Sequence, residues 1–218
     1  MTEKKSAPVH GAPFYTRGEE IMNAVTHGVG AALGIAGTVL LILRADGEPW
    51  RTVSSAIYGA SMILLFTMSC LYHAISAPRA KRVMRVFDHT SIFLLIAGTY
   101  TPVTLVTLRG AVGWVLFGVV WSACITGIVL NAINIERFRK FSMWCYIAAG
   151  WSVVFAAVPT IQKMPVPGLI LLLAGGIAYT AGIPFYRKKT VKYFHGIWHF
   201  FVLAGAVLQF FAVYLYII

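Results

Sequence analysis

Polar and apolar positions along this chain separate on a scale much longer than one strand or one amphipathic helix. Lys, Arg, Asp and Glu are clustered, and between the clusters lie seven charge-free intervals, 21–43, 52–78, 89–108, 110–135, 141–162, 164–186 and 193–218, each 20 to 27 residues long. A helix crosses the hydrocarbon core of a bilayer in about 20 residues, so every interval is long enough to span. Backbone groups in lipid must be satisfied within the structure, and a β-barrel would show short alternating segments, so these continuous runs predict helices. The expected fold is an all-α integral membrane protein with seven transmembrane helices over 21–218, preceded by a polar tail, 1–20.

Composition agrees with that pattern. Of 218 residues, 59% are hydrophobic and 11% charged, whereas soluble domains carry about 25% charge. The net charge of +11 would suggest a nucleic-acid partner for a soluble protein, but the way the loops sort explains it better. The tail and the second, fourth and sixth loops hold 14 Lys and Arg, against 4 in the remaining loops. The positive-inside rule then places the N-terminus, with its tail, in the cytoplasm and the C-terminus outside. A multi-pass cell-membrane protein, in a bacterial cytoplasmic membrane, is expected, with a membrane lipid or lipid-like substrate as partner and no nucleic acid. The tail has no apolar core followed by a small-residue cleavage site, so the first helix serves as its own insertion signal. Cys70, Cys124 and Cys145 all fall within spans, and their odd number argues against a disulfide framework.

Polar groups inside a membrane cost free energy, so their positions are informative. His27, His73, His89, His195 and His199 lie in spans or at their ends, and the predicted topology places all five in the cytoplasmic half. His73 precedes Arg79 by six residues and His199 follows Lys192 by seven, which at about 1.5 Å per residue puts both roughly 10 Å inside the basic loops. His195 and His199 share one face of the last helix, Ser69 and His73 one face of the second, and Asp88 opens the third. Three neutral imidazoles with an open fourth position suit catalytic Zn²⁺, and a carboxylate nearby would orient or deprotonate a water there. The same histidine pair, spaced i, i+4, also fits interhelical hydrogen bonding without a metal.

Five segments carry a family resemblance: Glu19-Glu20-x-x-Asn23-x-x-Thr26-His27-x-x-Gly30, Ser69-x-x-Tyr72-His73, Phe87-Asp88-His89, residues 95–102 (LIAGTYTP) and His195-x-x-Trp198-His199-x-Phe201-Val202-Leu203. In this order the chain resembles the hemolysin III family, within the progestin and adipoQ receptor group and the wider alkaline ceramidase-like superfamily. The resemblance runs from Glu19 to the end. It implies seven helices with the N-terminus inside, a zinc ion held by His73, His195 and His199, Asp88 near the metal's water, and Ser69 near a substrate oxygen. One departure is Gln209, where family members often carry a histidine. Gln209 lies fourteen residues past His195, about 21 Å along a helix and too deep to touch that metal.

Glu20, Asn23 and His27 fall on one face of the first helix and are candidates for a second shell or gate, or for an ordinary polar helix end. His27 is also a candidate replacement ligand. His89 is about 100° around the helix from Asp88, so the two do not face one centre. Gly30-x-x-x-Gly34 is a helix-packing spacing. Three functions fit these residues. The first is a zinc-dependent hydrolase of a lipid-like amide or ester, with Asp88 as base and Ser69 polarising the carbonyl. The second is a receptor-like or membrane-homeostasis protein with structural zinc. The third is a hemolysin or a narrow ion or proton pathway; the scarcity of charge within the spans argues against a wide aqueous pore but leaves narrow passage open.

Overall fold

The first helix is set by its cap. Thr16 and Glu19 form a capping box, Thr16 N–H donating to the Glu19 carboxylate at 2.8 Å, and α1 runs from there over Arg17–Arg44. The computed structural model describes residues 15–188 and 190–218, so residues 1–14 of the expected polar tail lie outside the described residues. α2 (Pro49–Ala74) and α3 (Pro78–Pro102) each open on a proline at the first turn, where the missing N–H has no helical partner to lose. α3 passes into a π-helical turn at Val103–Thr107 directly after Pro102. Thr99, Thr101 and Thr104 donate their hydroxyls to the carbonyls four residues back, at 2.7 to 2.8 Å, which satisfies them without water.

α4 (Ala111–Gly150) contains a break at Asn134, whose backbone is extended (φ −161°, ψ 96°). In a straight helix Asn131 and Ser142 would stand about 16 Å apart. Ser142 Oγ instead donates to Asn131 Oδ1 at 2.6 Å, so the chain folds back on itself and α4 consists of two limbs.

The second limb, the span expected over 141–162 with Pro159 as a place for it to kink or end, is interrupted. It changes to a 3-10 turn at Ser152–Ala156 and restarts as α5 (Ala157–Lys163). Pro159 contributes to the break, because it cannot pair with the carbonyl four residues back and sits readily in the first turn of the restarted helix. Tyr100 of α3 completes the break: its hydroxyl donates to Gly150 O and accepts from Val153 N, both at 2.8 Å. Irregular backbone at membrane depth is thereby satisfied by a neighbouring helix.

α6 (Val166–Arg187) and α7 (Phe194–Tyr216) complete the bundle. Among the described residues, which include no strand, six helical segments are long and apolar enough to cross a membrane, one of them the broken 53-residue stretch Ala111–Lys163. α1 packs on α2, α2 on α3, α3 on α4, α6 on α7, and α7 back on α1. The glycine pair of α1 serves the first of these contacts: a methyl on Gly30 would lie 2.6 Å from the Phe66 ring, and Gly34 faces the Ile63 backbone. Large apolar side chains cover the outside, Phe155 being 92% exposed, as befits a surface solvated by lipid rather than water.

Candidate metal centre

The centre is assembled where α1, α2 and α7 meet, beside α3. That helix begins at Pro78, so that Asp88 lies ten residues inside it rather than opening it as expected, because Pro78 starts the helix ahead of the basic residues. α7 begins abruptly, because Tyr193 takes a left-handed backbone (φ 64°) that side-chain-bearing residues seldom adopt. Its N–H donates to Glu19 Oε1 at 2.8 Å, so the cap of α1 also holds the turn that aims His195 and His199. One turn apart on α7, these two imidazoles bring their Nε2 atoms within 3.1 Å.

His73 enters from the last turn of α2. Its Nδ1 is held by Glu20 Oε2 at 2.6 Å and lies 3.4 Å from Asn23 Nδ2, both on α1. Its Nε2 is buried and has no hydrogen-bond partner. One nitrogen from each of His73, His195 and His199 lies within 4.8 Å of the other two, a group that could hold a metal ion. A tetrahedral zinc with Zn–N near 2.0–2.1 Å needs nitrogens roughly 3.3 Å apart, close to the His195–His199 separation. Two of the three rings are fixed through their remote nitrogen, His73 by Glu20 and His199 Nδ1 by Asn23 O at 3.3 Å, as metal-binding histidines usually are. The orphaned His73 nitrogen and the all-imidazole donor set therefore fit a divalent metal.

Around this trio the other expected residues take distinct places. Asp88 is buried on α3, 3.4 Å from His89 Nδ1. The Ser69 hydroxyl lies beside the Asp88 carboxylate, without a hydrogen bond of ordinary geometry. Glu20 is shared: while one oxygen holds His73, the other accepts from Lys81 Nζ at 2.7 Å. His27 does not join the converging nitrogens. Its ring stacks on His199 at 3.7 Å and 10°, and neither of its nitrogens has a partner. His89 also stays out of the trio, its Nδ1 3.0 Å from Arg85 O.

Sequence reasoning passed over two contributors. Tyr15 precedes the cap of α1 and stacks on His195 at 4.9 Å, with His73 5.7 Å away, closing that side of the trio. Burial pushes its phenol above the ordinary value. No local pattern marked it, because the residue that would pair with it in a hydrophobic staple is Glu20 and its partners come from α2 and α7. Arg85, one turn before Asp88, pairs with Glu136 beyond the break in α4, a contact with no local sequence signature.

From this layer a largely apolar, partly open cavity runs into the bundle. His27 and Asp88 line it at the inner end and Gln209 at the other, with Leu95, Ile96 and Val202 between.

Residues 15–210 match the family described as haemolysin-III related. The chain is 43% identical to Hemolysin-3 of Bacillus cereus, over 92% of each chain. It is 41% identical to the Hemolysin-3 homolog of Bacillus subtilis (strain 168), over 93% of this chain and 96% of that one. A more distant relative is the monocyte to macrophage differentiation factor of Homo sapiens, 24% identical over 97% of this chain and 90% of that one.

Proposed function

Because this chain belongs to the haemolysin-III related family of multi-pass membrane proteins, we propose that it is a zinc-dependent hydrolase of a lipid-like amide or ester, built on seven spans with the N-terminus cytoplasmic and the C-terminus outside. The seventh span comes from counting the two limbs of the broken stretch separately. The observation that carries the catalytic reading is the convergence of His73, His195 and His199 beside the Asp88 carboxylate, at the inner end of an apolar cavity.

His73, through its unpartnered Nε2, and the two α7 histidines would hold the metal. Zinc bound there would supply a Lewis-acid centre for the hydrolysis. Asp88 would accept, on a carboxylate oxygen, the proton of a water whose oxygen bonds to the carbonyl carbon, and would pass it to the departing amine or alkoxide as the C–N or C–O bond breaks. Ser69 donates its hydroxyl hydrogen to the substrate's carbonyl oxygen. Glu20 keeps the His73 ring turned so that Nδ1 faces α1. The apolar cavity accommodates the chain of the substrate and excludes water from it.

Asp88→Asn tests this reading. Zinc content stays at the parental level while turnover of a long-chain acyl amide falls by about a hundredfold or more. Undiminished turnover, or a parent that turns over neither amides nor esters, overturns the hydrolase. A second reading, lysis through a pore, draws on the printed name of the Bacillus relatives, but the largely apolar cavity lining is unsuited to conduction.

A further inference from the structure

The far end of the cavity contains polar groups that the proposed chemistry does not use. Gln209 of α7 lines the cavity, and its amide makes no hydrogen bond to any described residue. Beside it on α6, Tyr179 also lines the cavity, and its buried hydroxyl has no partner. Tyr58 of α2, wholly buried and within electrostatic reach of Tyr179, presents a further unpartnered hydroxyl.

The helices are shaped around these side chains. A methyl on Gly175 would lie 2.5 Å from Gln209 Cγ, and one on Gly205 would lie 2.8 Å from the Tyr179 ring. Two glycines on facing helices thus leave room for Gln209 and Tyr179 at one level. Two unpaired hydroxyls in a low-dielectric interior are costly, and a helix needing only to pack would carry leucine rather than an amide on this apolar wall. Groups of this kind are satisfied when a guest brings the missing partner. Gln209 follows His199 by ten residues, which sets it about 15 Å deeper along α7, the reach of roughly a dozen chain carbons.

We propose that Gln209 and Tyr179 form a second polar subsite, which recognises a hydroxyl or carbonyl carried part-way along the chain of the cavity's guest. The inference rests on the reading that the guest's head group lies at the histidine layer. It assigns the ligand class as a long-chain amphiphile oxygenated about twelve carbons from its head, rather than a plain saturated chain. The Gln209 amide donates to, or accepts from, the mid-chain oxygen, and the Tyr179 hydroxyl completes the pair. An unsubstituted chain leaves both groups unpaired, and the lost hydrogen bonds set the selectivity.

The test compares octadecanamide with 12-hydroxyoctadecanamide as competitors of a dansyl-labelled fatty amide, read by energy transfer from the cavity residues Trp151 and Trp198 in the full chain reconstituted in nanodiscs. The parent is expected to prefer the hydroxylated amide by about tenfold, the effect of one or two buried neutral hydrogen bonds. Gln209→Leu abolishes that preference while keeping parental zinc content and affinity for octadecanamide, and Tyr179→Phe reduces it. Equal affinities in the parent, a preference that survives in both variants, or failure of the parent to bind either amide overturns the subsite. The hydrolase reading is decided separately, by turnover in the parent against Asp88→Asn. A protein that prefers the hydroxylated amide but cleaves neither keeps the subsite and loses the hydrolase, and one that cleaves both without preference does the reverse.

Discussion

At the inner end of the bundle, His73 and His199 are each gripped by α1, through Glu20 and Asn23, whereas at the far end of the same cavity Gln209 lines the wall and the buried Tyr179 hydroxyl has no partner among the described residues. Both ends lie inside the membrane-spanning region and both place polar groups where water is scarce. The inner end is pre-organised from the protein alone: His73 and His199 are turned by α1 so that one nitrogen of each converges with one of His195. The outer end is shaped by glycines but left chemically incomplete. The difference teaches that convergence with outer-sphere support marks a metal centre, while isolated unsatisfied groups along an apolar wall mark a place for a guest.

The support at the inner end is the first thing to break. Glu20→Gln keeps the shape but removes the carboxylate that holds His73 and pairs with Lys81, and zinc affinity should fall by about 10- to 100-fold, read by chelator competition. Lys81→Met, which removes only the outer partner of Glu20, should weaken it much less. If Glu20→Gln binds zinc as the parent does, the pre-organisation has another source.

Next in size is Tyr100→Phe, which strands Gly150 O and Val153 N at the break before α5. It should cost about 1–3 kcal/mol, measured as a lowered thermal midpoint in detergent, with zinc content unchanged. Gly30→Ala pushes a methyl into the Phe66 ring and should cost about 1–2 kcal/mol by the same measurement, since the ring must shift in a packed interface. The smallest effect is expected of Tyr15→Ala. Removing the ring stacked on His195 opens one side of the trio and should speed zinc loss to a chelator by a few-fold, about 3- to 10-fold, with little change in equilibrium affinity.

Much of this arrangement was legible because the membrane imposes simple rules. Charge-free runs located the helical rods, and the distances of His73 and His199 from the basic loops put them at one level, where the structure brings their ring centroids within 5.0 Å. The spacing of Glu20, Asn23 and His27 put them on one face, and that face meets the histidine layer. What each touches was not legible, because it depends on which helix stands opposite. His27 illustrates this: a candidate ligand by type, it lies flat on His199 with its nitrogens elsewhere. The break at 152–156 was legible only in part. Pro159 is visible in the chain, but the hydroxyl that makes the break tolerable comes from Tyr100, more than 50 residues earlier. Local pattern specifies helices well, and tertiary partners decide where they yield.

The central claim is that His73, His195 and His199 hold one zinc ion. Metal content of the detergent-purified parent, measured by plasma mass spectrometry beside His73→Ala, His195→Ala and His199→Ala, tests it most directly. The account predicts about one zinc per chain in the parent and little in any of the three variants, since a site closed by three imidazoles does not survive on two. A well-folded parent without zinc after reloading at neutral pH, or variants that retain it, would contradict the account.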